Sequence, residues 1–214
     1  MGIIQWIKGE EPGFFEKLSF LFQHGCDLGA YGEFLTEYLF GNGNIEGYYK
    51  ALHNIYIPYR NKTSEIDVLL IHEKGIFVIE SKNYSGWIFG SAGQKQWTQM
   101  LNKQTKYRFY NPIMQNDTHI KALSDYLRID RAIIKSFIVF SERCELKKIP
   151  ENTPEYTILR RHNLLRYLRK ELEERAAILT PDTIENIYKT LLPMTNVSDE
   201  VKQEHIDRIA RINK

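Results

Sequence analysis

The 214-residue chain carries a net charge of +2, with 43% hydrophobic and 26% charged residues. That balance supplies a packed core and excludes a disordered chain, while the charge is too small to establish a polyanion partner by itself. Two cysteines, Cys26 and Cys144, exclude a disulfide framework or a cysteine-based zinc site, and no apolar run reaches the length of about 18 residues that a membrane span needs. A soluble cytoplasmic protein in a reducing compartment, with no membrane partner, is expected.

In chain order, residues 12–23 predict a short amphipathic helix through Phe14, Phe15, Leu18, Phe20 and Leu21. Residues 28–40 predict a clearer one, because Tyr31, Phe34, Leu35, Tyr38 and Leu39 recur at helical spacing. Gly29 and Gly32 within it cost about 1 kcal/mol each relative to alanine, which a close backbone or ligand approach would explain. Gly41-Asn42-Gly43-Asn44 ends that helix. Residues 49–57 predict a strand ending at Pro58. The aliphatic runs 66–71 and 75–80 predict two more, joined by turn material at His72-Glu73-Lys74-Gly75. A looser stretch over 83–110 predicts short strands near 86–90 and 96–97. Asn111-Pro112 opens a helix to about Leu127, since proline suits a first helical turn. Strands follow at 132–140 and 156–159, then helices at 163–175, 181–192 and 198–212. The order of helix, three-stranded meander, helix, strand and C-terminal helices predicts an α/β (α+β) layer with helices covering a sheet.

The hairpin carries the chemistry. With Glu73-Lys74 as a two-residue loop, His72 faces Gly75 and Asp67 faces Glu80; a bulge at Gly75 would shift this by about one residue. Opposed residues have Cβ atoms about 4.5–5.5 Å apart. Two carboxylates about 4 Å apart repel by roughly 4 kcal/mol at an effective dielectric of 20, and a divalent cation between them reverses the sign. Lys82, two residues beyond Glu80, projects from the same strand face. Glu-x-Lys alone is a poor signal, since Glu145-Leu146-Lys147 and Glu200-Val201-Lys202 share it; the facing Asp67 is what distinguishes the hairpin. His24, His53 and His72 show no ligand spacing.

From Ser81 to Asn116 there is no acidic residue. Lys82, Lys95, Lys103, Lys106 and Arg108 alternate there with Tyr84, Trp87, Phe89, Trp97, Tyr107, Phe109 and Tyr110. Basic groups interleaved with aromatics suit a groove that tracks phosphates and stacks bases; the competing reading is a core packed with aromatics. Arg160-Arg161-His162, Arg166, Arg169 and Lys170 are also basic, but Glu171, Glu173 and Glu174 follow them, so a solvated helix face is expected.

Several segments in fixed order resemble the PD-(D/E)xK nuclease superfamily, the restriction-endonuclease-like fold, and within it the nuclease-related domain (NERD) family. They are Gly29-Ala30-Tyr31-Gly32-Glu33, Leu52-His53-Asn54-Ile55, Glu65-Ile66-Asp67, the run from Gly75 through Glu80-Ser81-Lys82 to Gly86, Gly90, Trp97, and Asn111-Pro112-Ile113-Met114-Gln115-Asn116. The resemblance covers roughly residues 25–141. It implies Asp67 and Glu80 as ligands of Mg2+ or Mn2+, with the Ser81 carbonyl as a further oxygen donor. It implies Glu33 completing the metal shell directly or through water, although Glu37 is an equally placed carboxylate one turn later. Lys82 would orient or deprotonate the attacking water. Gln115 resembles a glutamine on the second helix of exonuclease-like members, and His119 stands where some relatives carry an aromatic residue.

The implied organisation is an N-terminal helical extension over 1–24, a nuclease-like domain over 25–160 and a C-terminal helical appendage over 161–214. The implied activity is metal-dependent hydrolysis of DNA, or else RNA, in repair or phage defence. Lys95, Trp97, Lys103, Lys106 and Arg108 are the candidate nucleic-acid contacts. A catalytically weak binding module and a partner-binding domain are the alternatives. A homodimer through the helices after Pro181 and a helicase or defence partner in another chain are the expected assemblies.

Overall fold

The computed structural model describes residues 45–201 apart from 103, together with 203, 204 and 207. The expected helices over 12–23 and 28–40, with Glu33 and Glu37, lie outside the described residues, as do Lys103 and most of the expected helix over 198–212.

Three antiparallel strands open the fold: β1 (Tyr49–Tyr59), β2 (Lys62–His72) and β3 (Gly75–Lys82). Strand β1 runs through Pro58 rather than ending before it. It is an edge strand, where a residue without an N–H costs no ladder bond on the open side. After β3 the chain builds β4 (Gly86–Phe89), β5 (Gln96–Met100) and β6 (Lys106–Tyr110), then helix α1 (Pro112–Leu127). Strands β7 (Ile134–Phe140), β8 (Cys144–Lys148) and β9 (Tyr156–Arg160) follow, then helices α2 (Leu164–Glu173) and α3 (Pro181–Leu191). The strands form two sheets, ordered β1-β2-β3-β7-β9 and β6-β5-β4-β8. In the first, β3, β7 and β9 are parallel neighbours. Strands β6 and β8, with β5 beyond Trp97, are additions to the sequence expectation.

The apolar runs are explained by what covers them. Strand β3 is buried on both faces, which is why residues 76–79 read as a continuous hydrophobic run instead of alternating. Ile76 and Val78 meet Ile120 and Leu123 of α1 and Ile184 and Leu191 of α3. Phe77 and Ile79 meet Leu164, Leu168 and Leu172 of α2 on the other side. Each such fully buried side chain contributes about 1.5–3 kcal/mol. Helices α2 and α3 therefore cover the two faces of the main sheet. Among the described residues, no helix is long and apolar enough to cross a membrane.

The second sheet covers the remaining part of the α1 side. Ile88, Trp97 and Phe109 pack against Ile138, Phe140 and Ile158. Trp97, expected on a nucleic-acid-binding surface, is instead fully buried. Its ring stacks on Phe140 at 6.3 Å and its indole N–H donates to the Ser91 carbonyl at 3.1 Å. It is a core residue that no base can reach. Gly90 permits this packing, since a Cβ there would stand 2.3 Å from Trp97 ring atoms.

Two substitutions test that contact. Gly90→Ala is expected to lower stability by about 1–3 kcal/mol through overpacking against a fixed ring. Gly93→Ala, where a Cβ would meet nothing within 4 Å, is expected to stay within about 0.5 kcal/mol. Urea unfolding of both variants, followed by tryptophan fluorescence, provides the comparison.

Candidate active site

The local backbone around Asp67 departs from regular pleating. The β2–β3 ladder begins at His72 opposite Gly75 and its last pair is Val68 opposite Ile79. The next position in that register sets Asp67 opposite Glu80, the arrangement the turn length predicts. On the other side of β2, His53 pairs with Val68 and Ile55 with Ile66, and the pair Asn54–Asp67 between them is missing. Asn54 has a left-handed backbone, φ 51°, a conformation asparagine tolerates better than most residues.

The consequence is a change of face. Leu52 and Ile55 are three apart in β1, and Ile66 and Leu69 three apart in β2, yet all four enter the same core cluster. A period of two cannot do this without a residue out of the pleat. Asp67 sits at that break, and its Oδ2 accepts the Ser81 backbone N–H at 2.7 Å. A side chain thus takes up a donor of the neighbouring strand.

Glu80 and Lys82 project from β3 toward α1. The Lys82 ammonium lies 2.6 Å from Glu80 Oε1 and donates to Gln115 Oε1 at 2.9 Å. Gln115 is held there by the start of its helix. Asn111 caps α1 by accepting from the Ile113 N–H at 2.9 Å, while its amide donates to the carbonyls of Ser91, Ala92 and Gln94. One turn on, Asn116 donates to the Val78 carbonyl and to Ser136 Oγ, docking α1 onto β3 and β7. His119 is i+4 from Gln115, so it shares that helix face. Its Nε2 stands 3.2 Å from Glu80 Oε2, and its Nδ1 lies 2.6 Å from Ser64 Oγ on β2. Sequence reasoning left His119 without a role and missed Ser64; the i+4 spacing from Gln115 was the available signal for the histidine.

The electrostatics divide the two carboxylates. Asp67 retains an intermediate solvent exposure, but protein atoms crowd its carboxyl. Desolvation and then the charge of Glu80 push its pKa well above the usual carboxylate range. Burial pushes Glu80 up as well, but Lys82 and His119 outweigh it and hold its carboxyl at about 2. Asp67 is therefore the member of the pair that gives up its proton less readily. Burial acts to lower the Lys82 pKa, yet the Glu80 charge outweighs it, so the amine stays an ammonium. Tyr84, packed 4.3 Å from the Phe109 ring centroid, is raised by burial.

Two observations suit a cation here. Glu80 Oε2 is buried without a hydrogen-bond partner, and Asp67 is a carboxyl whose charge the protein alone does not compensate. Oxygen donors of this type suit Mg2+ or Mn2+. Among the described residues, no three His, Cys, Asp or Glu side chains converge tightly enough to cage a metal. The pair Asp67–Glu80 would therefore rely on the adjacent Ser81 carbonyl, water and a donor from elsewhere. Glu33, the expected third carboxylate, lies outside the described residues.

The expected nucleic-acid contacts separate into two groups. Lys95, Lys106 and Arg108 are exposed. In the β5–β6 register Lys106 pairs with Met100 and Arg108 with Thr98, while Trp97 pairs with Phe109. Alternation thus puts Lys106 and Arg108 on the outer face of the second sheet and Trp97 on the inner one. Trp87 pairs with Met100 and Phe89 with Thr98, so these half-buried rings share the outer face.

A family profile described as "Nuclease-related domain" matches residues 28–141, the span that carries Asp67, Glu80, Lys82 and Gln115. An uncharacterized protein of Bacillus anthracis is 32% identical over 180 residues, covering 83% of this chain and 82% of the relative. No solved structure matches significantly. The mixed α/β architecture, with its two sheets and covering helices, agrees with the restriction-endonuclease-like fold. The chain belongs to the nuclease-related domain (NERD) family.

Proposed function

We propose that this protein is a divalent-metal-dependent phosphodiesterase that hydrolyses DNA. The observation carrying this reading is the meeting of Asp67, Glu80, Lys82 and Gln115 on one side of the main sheet. A module that only binds nucleic acid has no need of two adjacent carboxyls beside a buried ammonium.

The side chains have separable tasks. Asp67 and Glu80, with the Ser81 carbonyl, would hold Mg2+ or Mn2+, which supplies Lewis acidity toward a phosphate. A proton on Asp67 would compete with the ion for the same oxygens, so metal affinity would rise with pH. Lys82 keeps its charge and presents N–H donors from a fixed position. Gln115 takes one of them and Glu80 another, which leaves a third for a phosphate oxygen or the attacking water. Lys106 and Arg108, beside Trp87 and Phe89, offer a sequence-independent surface for the sugar-phosphate backbone.

Three outcomes are expected. Lys82→Ala should reduce plasmid nicking by about 10²–10⁴-fold in Mg2+ or Mn2+, with metal affinity nearly unchanged; Asp67→Asn should abolish both, and a chelator should silence the unmodified protein. Full nicking by Asp67→Asn would refute the proposed site. Replacing both Lys106 and Arg108 by alanine should reduce the slope of log affinity for DNA against log salt by about two; an unchanged slope removes that surface from the account. The third outcome concerns pH. A carboxyl whose folded-state pKa is raised binds its proton more tightly in the folded protein, so the stability it contributes is present at low pH and is lost as pH rises from its unfolded value through the folded one. In chelator, Asp67→Asn should therefore gain melting temperature relative to the parent as pH rises across that window, and the gain should be absent below pH of about 4.

A further inference from the structure

Resting on the reading of Asp67–Glu80 as a metal-binding pair, we propose that His119, aligned by Ser64, is a positioning residue that fixes the second oxygen of Glu80 for the ion. Glu80 has two oxygens in unlike surroundings. Oε1 takes the Lys82 ammonium at 2.6 Å. Oε2 is buried, and His119 Nε2 stands 3.2 Å from it. Nε2 is also buried and forms no hydrogen bond as placed. The ring is 5% exposed, so water does not readily satisfy either atom.

The chemistry of the two atoms fixes the proton. A carboxylate oxygen accepts, so the nitrogen facing it has to donate, and Nε2 carries the hydrogen. Nδ1 meets the hydroxyl of Ser64 2.6 Å away, a group that can donate to the ring or accept from it. Ser64 is on β2, three residues before Asp67, and Glu80 is on β3. The Ser64–His119–Glu80 chain thus connects the strand of one carboxylate to the other carboxylate through α1. It bypasses the segment of β2 where the ladder is broken. Groups that orient a metal-binding carboxylate from behind generally set its affinity, and their loss costs about 10–100-fold. Direct ligation by the imidazole fits less well, because the described His, Asp and Glu side chains do not converge as a set of three.

The test uses the full chain and Mn2+ as the probe. Calorimetry should show His119→Phe binding Mn2+ at least about tenfold more weakly, with an unchanged melting temperature in chelator. His119→Gln and His119→Tyr, which retain a donor, should recover much of the loss, and Ser64→Ala should lose several-fold. In a Glu80→Gln background His119→Phe should add nothing. Pulsed electron paramagnetic resonance of the Mn2+-loaded parent should show no nitrogen coupling from a coordinated imidazole. Nitrogen coupling that disappears in His119→Gln would make His119 a ligand and overturn the positioning role. Equal Mn2+ affinity in His119→Phe, or in Ser64→Ala should the former not fold, would overturn it as well. Failure of the parent to bind Mn2+ at all would be a different result: it refutes the metal-binding pair, and this role with it.

Discussion

The β2–β3 register carried one step further sets Asp67 opposite Glu80, and two ionised carboxylates about 4 Å apart repel by roughly 4 kcal/mol at an effective dielectric of 20. The surrounding structure is organised around that repulsion. Glu80 is given Lys82 on one oxygen and His119 near the other, so it remains ionised. Asp67 is given one backbone N–H from Ser81, while desolvation and the Glu80 charge hold its pKa well above the usual carboxylate range. Both carboxyls stand beside the Lys82 ammonium. On the proposed reading, a divalent ion shared by the two carboxyls would turn the unfavourable term into a favourable one.

Backbone irregularity makes this possible. In a regular sheet Asp67 would have neighbours in both ladders, and its flanking residues would alternate faces. The left-handed Asn54 and the missing Asn54–Asp67 pair break that pattern in β1 and β2 together. Hydrophobic residues on both sides of the break then reach the same core. The cost of the strained residue is offset by the burial of Ile55, Ile57 and Ile66 below it. On the opposite flank, Asn111 fastens the 91–94 loop to the start of α1. The second sheet thereby helps determine where Gln115 and His119 meet β3.

The hairpin was legible in the sequence because it depends on local rules. A two-residue turn sets the register, and period-two alternation sets the face, so Asp67, Glu80 and Lys82 could be assigned to one cluster. Pro112 after a capping Asn111 marked α1 for the same reason. Trp97 was not legible. An acid-free stretch rich in aromatics looks alike whether its rings stack bases or fill a core, and alternation does not say which face is inside. Strands β6 and β8, Lys-Tyr-Arg-Phe-Tyr and Cys-Glu-Leu-Lys-Lys in sequence, have no apolar run; β6 exists through its antiparallel pairing with β5, and β8 through pairing with the distant β4. The break at Asn54 rests on one backbone angle that Leu-His-Asn-Ile-Tyr does not announce. Ser64 and His119 are 55 positions apart, so only the folded chain shows their contact. For α2 and α3 the helical spans were visible, but the sheet faces they cover were not.

The most direct test of the Asp67–Glu80 pair is the anomalous scattering of Mn2+ in a crystal of the unmodified chain. The account predicts one strong peak between the two carboxyl groups, about 2.0–2.4 Å from an oxygen of each, with Lys82 alongside and outside the coordination sphere. An ion bound elsewhere at saturating Mn2+, or carboxyl groups that turn away from a common point, would contradict it.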